Sequence, residues 1–203
     1  YSATGIDAPF IGNHDTDRAA GILRYDTVRI KEAAGLLLTM SGSPFVYYGD
    51  EIGLSGSGRD ENKRAPMIWD ADGTGLTYGP SDMERQENRF AGVEEQLSDP
   101  DSILNYYKRA LRIRNENPEI ARGETKVLSL SGNAGGDIAA VKRTWNNESI
   151  IIVYNLTDEA AELSEAALET DSRNIRGYLA ASGGEPALSG ALTVPAHSIV
   201  FLK

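Results

Sequence analysis

Near Gly123 the spacing of apolar residues changes from a helical period to an alternating one, so one regular architecture cannot run the length of the chain. Upstream, Ile30, Ala33, Ala34, Leu37 and Leu38 fall on one helical face and predict a helix over Thr27–Ser41, with Gly42 just past its end. Ile103, Tyr106, Tyr107, Ala110 and Leu111 form a second such stripe. Ser98 or Asp99 suits its N-cap, Pro100 its first turn, Arg112 and Arg114 its negative end, and Asn117-Pro118 its stop. Downstream, Val127–Leu130, Ile138–Val141, Ile150–Tyr154, Ile175–Leu179 and Ser198–Leu202 read as short strands. The turn formers of Ser131–Gly136 and Trp145–Glu148 separate them. Residues 120–203 are therefore expected to form an antiparallel β-sandwich.

In the first 119 residues, Ala8–Asp15 is a short apolar run ending in polar residues, and Pro44–Gly49 is a second hydrophobic run beyond the first helix. Strand, helix, strand in that order predicts parallel α/β packing. Asp50–Ser98 is polar and glycine-rich with little periodicity, which in a folded domain points to a functional loop or to disorder. Thirty acidic against 20 basic side chains give a net charge of −10, which repels a phosphate backbone and argues against nucleic acid as a partner. Ala33–Met40, the longest apolar patch, is far short of a membrane span. Without cysteine there is no disulfide, thiolate metal site or cysteine nucleophile. The chain opens at Tyr1 with no basic-then-apolar leader and reads as a fragment of a longer protein.

The sharpest chemical feature is Asn13-His14-Asp15, an imidazole beside a carboxylate where a strand gives way to a loop. At the C-terminal end of a barrel strand, such a carboxylate can oppose the positive charge of an oxocarbenium-like transition state, and the imidazole can hydrogen-bond a sugar hydroxyl. A turn capped by Asp15 and Asp17, with His14 in solvent, has the same local sequence.

Phe10–Asp15 resembles the fourth conserved region of the α-amylase family of glycoside hydrolases, glycoside hydrolase family 13. Gly42–Gly53 is similar to that family's eighth barrel strand and following turn, and Arg64-Ala65-Pro66-Met67-Ile68-Trp69-Asp70 to the stretch beyond it. The fold implied is α/β plus all-β: the last quarter of a (β/α)8 TIM barrel in residues 1–119, then a C-terminal antiparallel β-sandwich in 120–203. The resemblance makes Asp15 the catalytic carboxylate that binds the sugar's hydroxyls and stabilises the transition state. It makes His14 a contact to the sugar at the cleavage site, and Asp60 with Arg64 a pair holding the next sugar outward. An Asp–Arg pair suits vicinal hydroxyls, although a solvated loop salt bridge looks the same in sequence.

The implied activity is retaining hydrolysis of α-1,4-glucosidic bonds in starch or maltooligosaccharides. Neopullulanase, oligo-1,6-glucosidase and transglycosylase relatives, or a non-catalytic carbohydrate-binding module, are the alternatives. The family's nucleophilic Asp and general-acid Glu stand on strands that precede this sequence, so the 203-residue chain alone is expected to be inactive. Strands deprived of barrel neighbours are expected either to self-associate through residues 8–48 or to be poorly ordered there. The resemblance implies no cofactor, with calcium an option in the larger enzyme, and a secreted or cell-surface bacterial source. Asp70–Gly75 echoes a calcium-loop opening, but Ser81 stands where the bidentate Glu belongs. Tyr47 and Tyr48 suit either a sugar ring or the core, and His197 reads as structural. Asn147-Glu148-Ser149 and Asn155-Leu156-Thr157 match the glycosylation pattern.

Overall fold

The computed structural model describes residues 5–130, 138–168 and 174–203; the turn expected at Ser131–Gly136 lies outside the described residues. The chain divides into two compact units. One is formed by the residues up to Leu37 and by Ser43–Arg109, the other by Leu38–Gly42 and Ala110–Lys203. No described helix is long and apolar enough to cross a membrane.

The chain as far as Glu116, which includes the first unit, is built from short helices and long connections. α1 covers Ala19–Ile22 and α2 Thr27–Thr39; a 3-10 turn follows at Asp50–Ile52, then α3 at Asp60–Lys63, α4 at Val93–Ser98 and α5 at Ile103–Glu116. Asp26 caps α2, its Oδ1 accepting from the Val28 and Arg29 amides at 2.9 and 3.2 Å. Ile30, Ala34, Leu37 and Leu38 are buried as the stripe requires, and Gly42 takes a left-handed φ of 85°. The cap of α5 is Ser102, whose hydroxyl accepts from the Asn105 amide at 3.1 Å. Ser98 instead ends α4, a helix too short to show a period, and Asp99 holds the Asp101 amide at 2.9 Å.

The two expected strands of this unit are reduced to one parallel bridge, Phe10 to Phe45. The Ser43 and Phe45 amides donate to Asp7 O and Pro9 O, both at 2.8 Å. A parallel ladder needs a return bond from residue 9 to the Ser43 carbonyl, and Pro9 has no N–H to give. The segments still run side by side, which places the residues after Phe10 next to those after Phe45.

The second unit is mostly β-sheet. After α6 (Glu119–Arg122) come β1 (Glu124–Val127), β2 (Ile138–Trp145), β3 (Glu148–Asn155), β4 (Ala161–Ser164), β5 (Ile175–Ala180), β6 (Ala187–Leu188), β7 (Ala191–Val194) and β8 (Ser198–Leu202). They form a five-stranded sheet ordered β1-β2-β3-β8-β5 and a three-stranded sheet ordered β4-β7-β6, with every pairing antiparallel. β2 and β3 join through a two-residue turn in which Asn146 and Asn147 both have positive φ, 49° and 64°, as a type I′ hairpin demands.

Ile151 and Val153 of β3 and Val200 and Leu202 of β8 pack with Leu163, Leu192 and Val194 of the smaller sheet. Ile150, Ile152, Ile199 and Phe201, on the opposite face, are also buried, so these two strands read as continuous apolar runs rather than alternating ones. Arg114 is buried and donates to the carbonyls of Leu38, Met40 and Gly42. It therefore satisfies the C-terminal carbonyls of α2 rather than those of its own helix.

Candidate functional site

The Asn13–Thr16 turn is held by its own side chains. Asn13 Oδ1 accepts from the Asp15 and Thr16 amides at 2.8 and 3.0 Å, and Thr16 Oγ1 accepts from the Asn13 amide at 3.0 Å. This turn presents His14 and Asp15 outward, with side chains 61% and 66% exposed and His14 Nε2 3.3 Å from Asp15 Oδ2. Arg64 Nη2 lies 3.6 Å from the other Asp15 oxygen. Lys63, nearly buried, donates through Nζ to the Asp15 backbone carbonyl at 3.0 Å and to Asp60 Oδ1 at 3.2 Å, with Asp17 Oδ1 at 4.0 Å. His14, Asp15, Asp60 and Arg64 thus all belong to one cluster. Within it, Arg64 faces Asp15 while Asp60 is held by Lys63.

Arg18 connects the turn to the loop that carries Lys63 and Arg64. Its side chain is 0% exposed, and its guanidinium lies over the rings of Tyr47 and Tyr48 at 4.1 and 4.6 Å. Nε donates to Lys63 O at 3.0 Å, Nη1 to Tyr48 O, and the backbone amide to Gly56 O at 2.9 Å. The Tyr47 and Tyr48 hydroxyls donate to Lys63 O at 3.2 Å and Ala65 O at 2.8 Å, and Asp17 Oδ1 accepts from the Gly58 amide at 2.9 Å. The two tyrosines therefore frame a buried guanidinium and anchor the loop. Gly49, at φ 87°, is where the chain turns under them; a Cβ there would meet Leu54 at 2.6 Å and Arg18 Nη1 at 3.3 Å.

Asp50 completes this layer. It is buried, 3.7 Å from Arg18 Nη1, and packs against Gly12, where a Cβ would lie 3.4 Å from its Oδ2. Burial pushes its carboxyl up to about 6, against the opposing pull of Arg18. Burial also raises the Tyr47 hydroxyl. Arg18, Asp50 and Lys63 escape sequence reasoning because a buried charge leaves no periodic mark. The one available sign is that Arg18 closes the polar run Asn13–Arg18 immediately before the buried Ala19-Ala20.

Elsewhere, Asp70 Oδ1 accepts from the Thr74 amide at 2.8 Å, so the calcium-like segment is a side-chain-held turn. Among the described residues no group of three or more His, Asp or Glu is arranged to hold a metal. His197 pairs with Asp158 at 2.9 Å. Asn155 is 0% exposed and donates to the carbonyls of Glu159, Val194 and Pro195.

Comparison with known proteins identifies the family. A family model described as alpha amylase, catalytic domain, matches residues 2–123. The chain is 34% identical over 169 residues to the alpha-amylase SusG of Bacteroides thetaiotaomicron, covering 80% of this chain and 24% of that protein. It is 33% identical over 145 residues to a cyclomaltodextrinase of Thermoanaerobacter pseudethanolicus, covering 71% of this chain and 20% of that one. Among solved structures, Eubacterium rectale Amy13B superposes with a TM-score of 0.90 at 33% identity, over 100% of this chain and 40% of that chain. The chain thus spans a quarter or less of these curated relatives. It shares with the solved relative the architecture expected from sequence, the end of a (β/α)8 barrel followed by an antiparallel β domain. With the order Asn13-His14-Asp15, Tyr47-Tyr48-Gly49, Arg64-Ala65-Pro66 brought together in space and the catalytic-domain model matching the same span, the chain belongs to the α-amylase family, glycoside hydrolase family 13.

Proposed function

We propose that this chain supplies the transition-state-stabilising carboxylate and part of the sugar-binding surface of a retaining glycoside hydrolase that cleaves α-1,4-glucosidic bonds in starch or maltooligosaccharides. The observation that carries this reading is the outward-facing Asp15 carboxylate, flanked by His14 and Arg64 and fixed from below through Lys63. A sugar ring that gains positive charge as its glycosidic bond breaks is stabilised by a carboxylate already held in place, because no solvent reorganisation is then needed. Arg64 orients Asp15, His14 donates to a ring hydroxyl, and Asp60 with Arg64 reaches the next sugar. The nucleophile and general acid come from outside residues 1–119, and residues 120–203 form the β domain. The exposed Phe10, Phe45 and Val46 suit packing against further barrel strands or self-association.

In the full-length protein, Asp15→Asn should lower kcat by about 100-fold or more, as expected for loss of preorganised charge stabilisation. A kcat within about threefold of the parent, less than about 1 kcal/mol on the barrier, would overturn the assignment. The 203-residue chain by itself should release no reducing sugar from starch.

The similar identities to an alpha-amylase and a cyclomaltodextrinase favour a second reading of the same site, in which small or cyclic glucans are preferred over starch. A neopullulanase, oligo-1,6-glucosidase or transglycosylase specificity differs from these only in the substrate's linkage or acceptor. The reading as a non-catalytic binding module has less support. Phe201 is buried, Tyr154 is bonded to Thr39, and Trp145 is covered by Arg122, so the described β domain shows no row of open aromatic faces.

A further inference from the structure

We infer that Lys63 is a positioning residue for the step assigned to Asp15: its ammonium sets where the Asn13–Thr16 turn sits, and through the turn it places the carboxylate. The inference rests on the reading of Asp15 as the transition-state-stabilising group. Lys63 acts from the backbone side. Its Nζ donates to the Asp15 carbonyl at 3.0 Å, while the Asp15 carboxylate is flanked by His14 and Arg64.

The bonds within the turn and the bond to Lys63 have different effects. Asn13 Oδ1 and Thr16 Oγ1 accept from amides of the same turn, which fixes its shape but not its place. A turn closed on itself can still shift as a unit. Lys63 ties it to α3 with a charged donor, and such a bond is about twice as strong as a neutral one. The Lys63 side chain is 10% exposed, so water competes poorly for that carbonyl. Arg64 is a weaker tether. Its Nη2 stands 3.6 Å from Asp15 Oδ1, beyond hydrogen-bond range, and its side chain is open enough for salt to screen it.

The ammonium can serve as a fixed point because the chain around Lys63 is itself held. The Lys63 carbonyl accepts from Arg18 Nε at 3.0 Å and from the Tyr47 hydroxyl at 3.2 Å. Its neighbour Asn62 is buried and donates to Ser57 O and Glu84 Oε2, both at 2.9 Å, while its oxygen accepts from the Glu84 amide at 2.9 Å. Gly56 packs so closely here that a Cβ would collide with the Asn62 carbonyl oxygen, and the Gly56 carbonyl accepts from the Arg18 amide.

An ammonium has three protons to give. Lys63 gives one to the Asp15 carbonyl and one to Asp60 Oδ1 at 3.2 Å, with Asp17 Oδ1 4.0 Å away. It therefore engages two neighbouring carboxylates and leaves that of Asp15 facing outward, 66% exposed. Without the ammonium, Asp15, Asp17 and Asp60 would repel one another across the space it vacates, and the turn would lose its tie at the same moment.

The test is a double-mutant cycle in the full-length protein, with maltoheptaose as substrate and folding checked by circular dichroism. K63M should lower kcat about 10- to 100-fold, and by more than it changes KM, since displacement of a reacting group by about 1 Å can cost 100-fold. K63R keeps the charge and donors and should stay within about fivefold of the parent. In a D15N background K63M should lower kcat by no more than about threefold, because the charge to be placed is gone. A merely structural lysine would lower kcat by the same factor in both backgrounds. The inference is overturned by a K63M kcat within about threefold of the parent, by a loss confined to KM, by equal losses in K63M and K63R, or by equal factors in the two backgrounds. If K63M fails to fold, K63Q, whose amide stops short of Asp15, takes its place in the cycle with the same expectations. D15N alone, with a kcat within about threefold of the parent, would instead remove the reading of Asp15 on which the inference stands.

Discussion

Replacing Arg18 with Met should destabilise the first unit by about 3–5 kcal/mol, the usual cost of removing one member of a buried ion pair. The structure breaks that figure into parts. Arg18 is 0% exposed, so nothing it holds can turn to water without local opening. Met fills much of the space but leaves the carbonyls of Lys63 and Tyr48 without this donor, at about 1–3 kcal/mol for each that stays buried. The favourable seat over the Tyr47 and Tyr48 rings also disappears, about 2 kcal/mol when desolvated. These losses are partly relieved by the Tyr47 hydroxyl, which still reaches Lys63 O, and by protonation of Asp50.

The reverse change is predicted to be mild. Asp50→Asn leaves Arg18 its two carbonyls and both rings. It also removes a carboxylate that accepts no hydrogen bond from the other described residues and that burial already disfavours. Its cost at pH 8 should stay under about 1 kcal/mol, because a poorly solvated charge is lost along with its partial pairing. Urea denaturation of W145F variants, followed through Trp69, reports on the first unit because Trp145 is the other tryptophan and lies in the second. An R18M cost below about 1 kcal/mol, or a D50N cost equal to that of R18M, would refute the view that the guanidinium rather than the ion pair organises this layer.

Two further outcomes follow. Because the Asp50 carboxyl is raised from 3.8 to about 6, the folded state holds its proton more tightly than the unfolded chain. Stability from this group is therefore full below about pH 4 and is lost as pH rises through 6. The difference is about 3 kcal/mol, visible as a pH slope between 4 and 6 that D50N abolishes; an unchanged slope would sink the assignment. In the second unit, Arg114→Met leaves the carbonyls of Leu38, Met40 and Gly42 without their donor and should cost about 2–4 kcal/mol in denaturation followed through Trp145 in a W69F background; a cost within 0.5 kcal/mol, roughly that of an ordinary surface change, would refute it.

Sequence reading succeeded where one physical signal dominates. The stripe from Ile30 to Leu38 could bury itself only as a helix, and the runs Ile150–Tyr154 and Ser198–Leu202 were too short and too β-branched for anything but central strands. β4, β6 and β7 went unread because Ala161–Ser164 and Ala187–Leu188 are brief, and their pattern gains meaning only against Leu192 and Val194 of the strand between them. The strand pair near Phe10 and Phe45 was overestimated because apolar runs suggested a ladder that Pro9 interrupts. At the candidate site, Asn13–Asp15 stood out through its neighbours in sequence. Arg18, Asp50 and Lys63 act through partners 32, 45 and 48 residues away, which no local pattern encodes.

The burial of Asn155 bears on how this protein can be produced. Its amide nitrogen is the atom to which an oligosaccharide would be joined in the lumen of the endoplasmic reticulum, and in the folded chain that same atom serves three carbonyls at the end of β3. Attachment during translocation would precede closure of the sheet and hold it open, so yeast or mammalian secretion should yield misfolded material, whereas expression in a bacterial host, which lacks that transferase, meets no such obstacle.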